Sequence, residues 1–106
     1  MEENKQMLLN KAKRLEIDPE IKQGVIRIIE FITKEEGRKL YIAKDFQSEF
    51  YLEYSNNQII QTARNYDYAG NPTQKARAVM LVKDLPALYF QYQSQIDDAL
   101  ITGKRL

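Results

Sequence analysis

The sequence contains no cysteine and no histidine. Without cysteine there is no disulfide framework, no thiolate nucleophile and no sulfur-ligated zinc or iron–sulfur site. Without histidine the chain lacks the side chain most used for proton transfer near neutral pH, which is also the commonest metal ligand. Adjacent carboxylates such as Asp97 and Asp98 diverge on a helix, so they cannot share a proton or a metal. We therefore expect a protein that is not an enzyme and that uses no cofactor and no metal.

Long hydrophobic runs are also missing. The longest apolar run is far below the ~18 residues that a membrane span requires, and the N-terminus lacks the basic start and apolar stretch of a secretory signal. We therefore expect a cytoplasmic protein that does not engage membranes. The net charge is only +1, from 16 basic and 15 acidic residues, so binding to nucleic acid would need a local basic patch.

The composition that remains is that of a globular protein. Hydrophobic residues make up 43% and charged residues 29% of a chain of 106 residues, which is long enough to bury one hydrophobic core. No internal repeat and no linker rich in Gly, Pro or Ser divides the sequence. We expect a single domain over residues 1–106.

The N-terminal third of the sequence predicts two helices. Hydrophobic residues recur at helical spacing over residues 1–16 and again over residues 19–36. Asp18 followed by Pro19 is a strong start signal, because the carboxylate can accept from unpaired backbone N–H groups and proline suits the first helical position. Gly37 is placed to end the second helix in a left-handed conformation.

Between residues 49 and 64 the pattern changes to an alternation with period two, which is typical of a strand. Asn56 and Asn57 stand where a two-residue turn belongs, and asparagine tolerates the positive φ that such a turn needs. The sequence therefore predicts a β-hairpin over about 49–64. Closing it there aligns the apolar faces through the pairs Tyr54 with Ile59, Leu52 with Gln61, and Phe50 with Ala63.

The flanking segments are less distinctive. Residues 39–43 predict either a third strand or, shifted to 43–50, a short helix. After the turn at Asn71-Pro72, apolar residues step by three and four as far as Ala99, which predicts a long C-terminal helix kinked or broken at Pro86.

Together these segments predict a mainly helical α+β domain. It has two N-terminal helices, a central hairpin with or without a third strand, and a long Pro-kinked C-terminal helix. In the alternative, residues 38–66 form two helices and the protein is an all-α four-helix bundle, an architecture that bacterial immunity and phage accessory proteins use. The composition, with its Lys, Ile and Asn, is compatible with a bacterial or phage origin.

Aromatic residues are concentrated in the middle of the chain, where seven of the eleven Tyr and Phe residues lie between Tyr41 and Tyr68. Tyrosine buries a large area while keeping a polar tip near water, which suits a recognition surface. We therefore expect a non-catalytic binding or accessory protein, such as a regulator, adaptor or inhibitor, whose partner is another protein or a second copy in a homodimer. The candidate interaction residues are Tyr51, Tyr66, Tyr68 and Tyr89.

Basic residues support a second hypothesis. At the level of the fold, a helix–helix–hairpin order resembles that of winged-helix proteins, in which a hairpin tip contacts the phosphate backbone. The resemblance implies binding to nucleic acid, although the expected tip at Ser55–Gln58 carries no charge. The candidate nucleic-acid-binding residues are Lys11, Lys13, Arg14, Lys75, Arg77 and Lys83.

Overall fold

The computed structural model describes residues 4–35 and 37–102. In these residues, two helices precede a four-stranded antiparallel sheet whose strands neighbour one another in chain order, and a 3-10 turn and two further helices follow it. None of the described helices has both the length and the apolar character needed to cross a membrane. The elements are α1 Lys5–Lys13, α2 Pro19–Ile32, β1 Lys39–Lys44, β2 Ser48–Ser55, β3 Gln58–Tyr66, β4 Pro72–Val79, the 3-10 turn Val82–Asp84, α3 Leu85–Gln91 and α4 Gln93–Thr102.

Both predicted N-terminal helices are confirmed, although each is shorter than expected. Helix α1 is capped by Asn4, whose side chain accepts a hydrogen bond from the Met7 N–H at 3.0 Å. Asp18 caps α2 as predicted, accepting from the Glu20 N–H at 2.8 Å, with Pro19 at the first helical position. Gly37 has the expected positive φ of 83°, but it lies in the turn beyond the end of α2 at Ile32.

The predicted hairpin is confirmed together with its register. Asn56 and Asn57 have φ values of 53° and 60°, as a two-residue turn between twisted strands requires. The third strand is present as β1, which pairs with β2, so the alternative helix over 43–50 is wrong. The three predicted pairs, Tyr54 with Ile59, Leu52 with Gln61, and Phe50 with Ala63, all occur between β2 and β3.

The mainly helical prediction and the all-α bundle are both wrong, because four strands form one sheet. The prediction of a long C-terminal helix is also wrong, because residues 72–79 form strand β4. This strand pairs with β3, and its side chains alternate between the two faces of the sheet. A helix begins only at Leu85, has Pro86 in its first turn, and is interrupted at Tyr92. The hairpin is therefore part of a four-stranded meander and does not project as an isolated wing.

The hydrophobic core lies between the helices and one face of the sheet. Helix α2 contributes the fully buried side chains of Val25, Ile28, Ile29 and Ile32. Strands β1, β2 and β3 contribute one face of alternate residues, as expected for a sheet that is buried on one side. The most deeply buried of these are Leu40, Leu52 and Ile59.

Tyr89 connects three helices inside this core. Its side chain is completely buried, and its hydroxyl donates to Asp97 Oδ1 at 2.9 Å and accepts from the Arg27 guanidinium at 3.0 Å. Burial, followed by the hydrogen bond to Asp97, raises the pKa of the Tyr89 phenol. The ring lies directly against Gly24 of α2, where a Cβ atom would be only 2.3 Å from ring carbons.

We predict that Gly24→Ala destabilises the protein by about 1–3 kcal/mol, because the added methyl group overpacks the contact with Tyr89. Alanine is the better helix former, so intrinsic propensity alone predicts the opposite sign. The free energy of unfolding in urea measures the effect. Gln23→Ala, at the exposed neighbouring position, is the matched control and should stay within about 0.5 kcal/mol of the parent protein.

A double-mutant cycle separates the contact from a general effect on the helix. In a Tyr89→Leu background the ring is absent, so Gly24→Ala should cost much less than in the parent protein. Equal costs in both backgrounds would show that the ring is not the reason for glycine at this position.

Candidate interaction surface

The face of the sheet turned away from the helices carries the most distinctive side chains. We call it the outer face. Strand alternation and register place Tyr41, Tyr51, Thr62 and Arg77 in one row across its four strands. Neighbouring rows place Lys39 and Glu53 on one side of this row, and Lys44, Glu49, Arg64 and Lys75 on the other.

Two tyrosine rings form the centre of the outer face. The rings of Tyr41 and Tyr51 lie 5.2 Å apart between centroids and are tilted by 53°. The ammonium groups of Lys44 and Lys39 lie 4.6 Å and 4.9 Å from the ring centroids of Tyr41 and Tyr51, respectively. Tyr51 is therefore only 6% exposed although it points away from the helices. The rings form an apolar floor, and the groups that face solvent above them are cationic.

A polar cluster continues this face toward the end of β3. The Tyr66 hydroxyl donates to Glu49 Oε2 at 3.1 Å. Hydrogen bonding to Tyr66 raises the pKa of the Arg64 guanidinium, and the charge of Glu49 acts in the same direction. Arg64 is positively charged beside Tyr66, and its Nε has no hydrogen-bond partner among the described residues.

Thr62 lies in the middle row, fully buried between Tyr51 and Arg77. No described residue gives its Oγ1 a hydrogen bond. A buried hydroxyl without a partner costs free energy, so this position is not optimised for stability.

The hairpin formed by β3 and β4 has an uneven distribution of charge. Neither Gln58–Tyr66 nor Pro72–Val79 contains an acidic residue. Their three cations, Arg64, Lys75 and Arg77, all project from the outer face, with Arg64 directly opposite Lys75 in the register. This part of the outer face is a cationic patch on a protein that is almost neutral overall.

Strand β4 is an edge strand, and all eight of its residues are exposed. At the opposite edge, α4 packs against β1. The Met80 N–H donates to the Ile59 carbonyl at 2.8 Å, so Met80 and every second residue before it direct their backbone groups toward β3. By this alternation, the backbone N–H and C=O groups of Thr73, Lys75, Arg77 and Val79 point to the edge of the sheet, and no described strand pairs with them.

Two exposed aromatic residues mark one end of the sheet. Phe46 is 79% exposed in the β1–β2 loop and Tyr68 is 92% exposed in the β3–β4 loop. The loops are joined by the Tyr66 N–H, which donates to the Gln47 carbonyl at 2.7 Å. A carboxylate organises each loop: Asp45 accepts from the Gln47 and Ser48 N–H groups, and Asp67 accepts from those of Asn71 and Ala69. These backbone hydrogen bonds lower the pKa of both carboxyls.

The four tyrosines predicted to form one surface are separated. Tyr51 and Tyr66 lie on the outer face, and Tyr68 extends from the adjoining loop. The assignment of Tyr89 to a surface is wrong, because this ring fills the space over Gly24 and cannot reach a partner. Sequence reasoning missed Tyr41, Thr62 and Arg64, although the alternation along β3 continues through the last two.

The predicted nucleic-acid-binding residues fall into two groups. Lys75 and Arg77 lie together on the outer face. The other four are Lys11 and Lys13 on α1, Arg14 just after it, and Lys83 in the 3-10 turn. Lys11, Arg14 and Lys83 line a groove between these segments, whereas Lys13 does not.

The described residues contain no group of three or more acidic side chains placed to hold a metal ion. Comparisons with protein-family models, with curated proteins and with solved structures found no match. The outer face and the edge of β4 are therefore interpreted from their own geometry and charge.

We predict that Thr62→Val stabilises the protein by about 1 kcal/mol, because it replaces an unpartnered buried hydroxyl with a methyl group of similar size. Thr73→Val, at an exposed outer-face position on β4, is the control and should change stability by less than about 0.5 kcal/mol. A loss of stability in Thr62→Val would mean that its hydroxyl is satisfied in solution.

The lowered pKa values of the two loop carboxyls predict that the protein loses stability in acid. Because the pKa values of Asp45 and Asp67 are lowered in the folded state, their stabilising contribution is present above the ordinary aspartate pKa and disappears as the pH falls through the lowered values. A carboxyl ¹³C titration by NMR should give midpoints below 3.8 for both residues. The amide shifts of Gln47 and Asn71 should follow the same curves. A midpoint at or above the ordinary value would contradict the hydrogen bonds in that loop.

Proposed function

We propose that this protein is a small, non-catalytic binding protein of the cytoplasm that holds an extended, acidic segment of a partner protein along the edge of β4. The observation that carries the proposal is a long edge strand that pairs with no described strand other than β3 and has its cations on one face. The exposed edge supports the first half of the proposal and the cationic patch supports the second.

The edge supplies hydrogen-bonding groups in a strand arrangement. Thr73, Lys75, Arg77 and Val79 direct their backbone groups away from β3. An extended peptide that pairs with such an edge gains main-chain hydrogen bonds, while alternate side chains give specificity. Edge strands of this kind are also prone to unwanted pairing, which native proteins control with charge.

Charge selects the partner. In a strand added beside β4, every second side chain would lie on the outer face next to Lys75 and Arg77. Carboxylates at those positions would meet cations, and β3 and β4 contain no acidic residue that would repel them. An acidic segment with alternating charge therefore complements this edge.

The same cations oppose pairing of two copies. In an antiparallel β4–β4 pair centred on Ala76, Lys75 of each copy would stand opposite Arg77 of the other. Like charges placed directly opposite each other destabilise a pair of strands. The edge therefore favours an acidic partner over the homodimer that the sequence also suggested.

Nucleic acid is the second candidate, and the three cations of the patch favour it. Binding to single strands commonly adds base stacking on aromatic rings. Here lysine ammonium groups lie over the rings of Tyr41 and Tyr51, and Tyr51 is almost completely buried. The outer face therefore offers phosphate contacts with little open ring surface for bases, and the exposed rings of Phe46 and Tyr68 lie in the loops beyond it. This supports a peptide as the first choice.

The test uses two labelled decapeptides of equal charge, one alternating Glu with Thr and the other, the N-methyl peptide, alternating N-methylglutamate with Thr. In an antiparallel strand beside β4, the residues opposite Lys75 and Arg77 turn their backbone N–H groups toward the edge, so methylation of the glutamate nitrogens removes pairing and leaves the charge unchanged. Fluorescence anisotropy at low salt should show about tenfold or greater preference for the Glu-Thr peptide, the equivalent of one or two net hydrogen bonds. Equal affinities would contradict pairing along the edge.

Protein variants locate the site. Lys75→Gln/Arg77→Gln should weaken binding of the Glu-Thr peptide by about tenfold, whereas the control Lys5→Gln/Lys34→Gln, with the same loss of charge on exposed helix and turn positions, should not. Val79→Pro removes one edge N–H without changing charge and should lower the preference for the Glu-Thr peptide over the N-methyl peptide. Tighter binding of oligodeoxythymidylate of equal charge would replace the proposal with nucleic-acid binding. Self-association of the parent protein that Val79→Pro abolishes would replace it with a homodimer.

A further inference from the structure

A second cationic feature lies just beyond the C-terminal end of β4, where the end of α1 meets the 3-10 turn. A groove of about 480 Å³ opens between these two segments. Its volume lies in the range of small-molecule sites, which are commonly about 300–1,000 Å³. It is lined by Lys11, Arg14, Leu15, Leu81, Val82 and Lys83.

The lining combines two chemistries. Leu15, Leu81 and Val82 make an apolar surface, and Val82 is 5% exposed at its base. Lys11, Arg14 and Lys83 bring three positive charges to the same groove, and none of the six lining residues is acidic. A site with an apolar floor and a cationic rim complements a molecule that has an apolar chain and an anionic head.

Stability of the fold does not explain this arrangement. A cation near the C-terminus of α1 is favoured by the helix dipole, which accounts for Lys11 and Arg14. Lys83, however, lies at the start of the helical segment that continues into α3, where the dipole disfavours a positive charge. Leu81 is 50% exposed, so burial in the core does not account for it either. Both residues face the groove.

We propose that this groove binds a small anionic amphiphile free in solution, with a carboxylate or phosphate head held by Arg14, Lys83 and Lys11 and an apolar chain lying on Leu15, Leu81 and Val82. The groove shares no residue with β4, and the proposal does not depend on the proposed function of that edge.

Decanoate is the probe, titrated below its micelle concentration into the full chain labelled at backbone amides and at Leu and Val methyl groups. The methyl signals of Leu15, Leu81 and Val82 should shift along one saturable curve. Decyltrimethylammonium, which has the same tail and the opposite charge, should bind at least about tenfold more weakly because the cationic rim repels its head. Inorganic phosphate alone should bind more weakly than decanoate because it lacks the chain.

Variants of the lining residues test whether decanoate binds in the groove. Arg14→Gln/Lys83→Gln should lower the affinity for decanoate by about tenfold, which is the loss expected when charge-assisted contacts to the head group are removed. Leu81→Ser, at a half-exposed position, should weaken it without unfolding the protein, and thermal unfolding checks that each variant is folded. The control Lys34→Gln/Phe46→Ser removes one charge and one exposed apolar side chain elsewhere and should leave the curve unchanged.

Three outcomes would overturn the proposal. The first is equal affinity for the anionic and cationic amphiphiles, which would show non-specific apolar binding. The second is unchanged affinity in Arg14→Gln/Lys83→Gln or shifts centred on other exposed side chains such as Phe90. The third is sedimentation with phosphatidylglycerol vesicles in the absence of any decanoate curve, which would assign the groove to a lipid surface.

Discussion

The contact between Tyr89 and Gly24 fixes how closely α3 packs against α2. The ring occupies the space that any side chain at position 24 would need, and the hydroxyl lies between Arg27 of α2 and Asp97 of α4. The Arg27–Asp97 pair is partly exposed, with half of the arginine side chain accessible, so its charge attraction is screened and contributes little by itself. Burial of the large ring provides most of the stabilisation, and the two hydrogen bonds set its orientation. Tyr89 therefore links α3 and α4 to α2, in addition to the packing of α4 against β1.

This helical layer covers only part of the sheet. Large apolar residues of the covered face, such as Leu40 and Leu52, lie on β1 and β2, where the helices pack. Toward β4 the same face carries small residues, Ala63, Ala76 and Ala78, all of them exposed. Alanine side chains remove too little apolar surface from water to hold a helix against them. The hairpin of β3 and β4 consequently extends beyond the helices and is held chiefly by its hydrogen-bond ladder.

The parts of the fold that could be predicted are those with a strong local signal. Asn56 and Asn57 between alternating residues were sufficient for the β2–β3 hairpin and its register, and Asp18 with Pro19 was sufficient for the start of α2. Strand β4 also alternates, but between alanine and cations, which are good helix formers, so pairing with β3 decides its conformation. The count of tyrosines could not show which rings are buried, since the burial of Tyr89 depends on a glycine far away in the sequence. Only part of the cationic patch could be predicted from the sequence. Lys75 and Arg77 are two residues apart in the chain, whereas Arg64 lies beside them only because of the register between β3 and β4.

Near-neutral net charge hides a segregation of charge that the fold creates. The acidic residues of the outer face, Glu49 and Glu53, lie on β2, and the three cations of the patch lie on β3 and β4. At physiological salt such a field extends only about 8 Å, so it cannot steer a partner from a distance. Its effect is confined to molecules already at the edge, where backbone pairing requires an extended chain. Charge and strand geometry thus act at the same place and the same range, and a partner of this edge has to satisfy both.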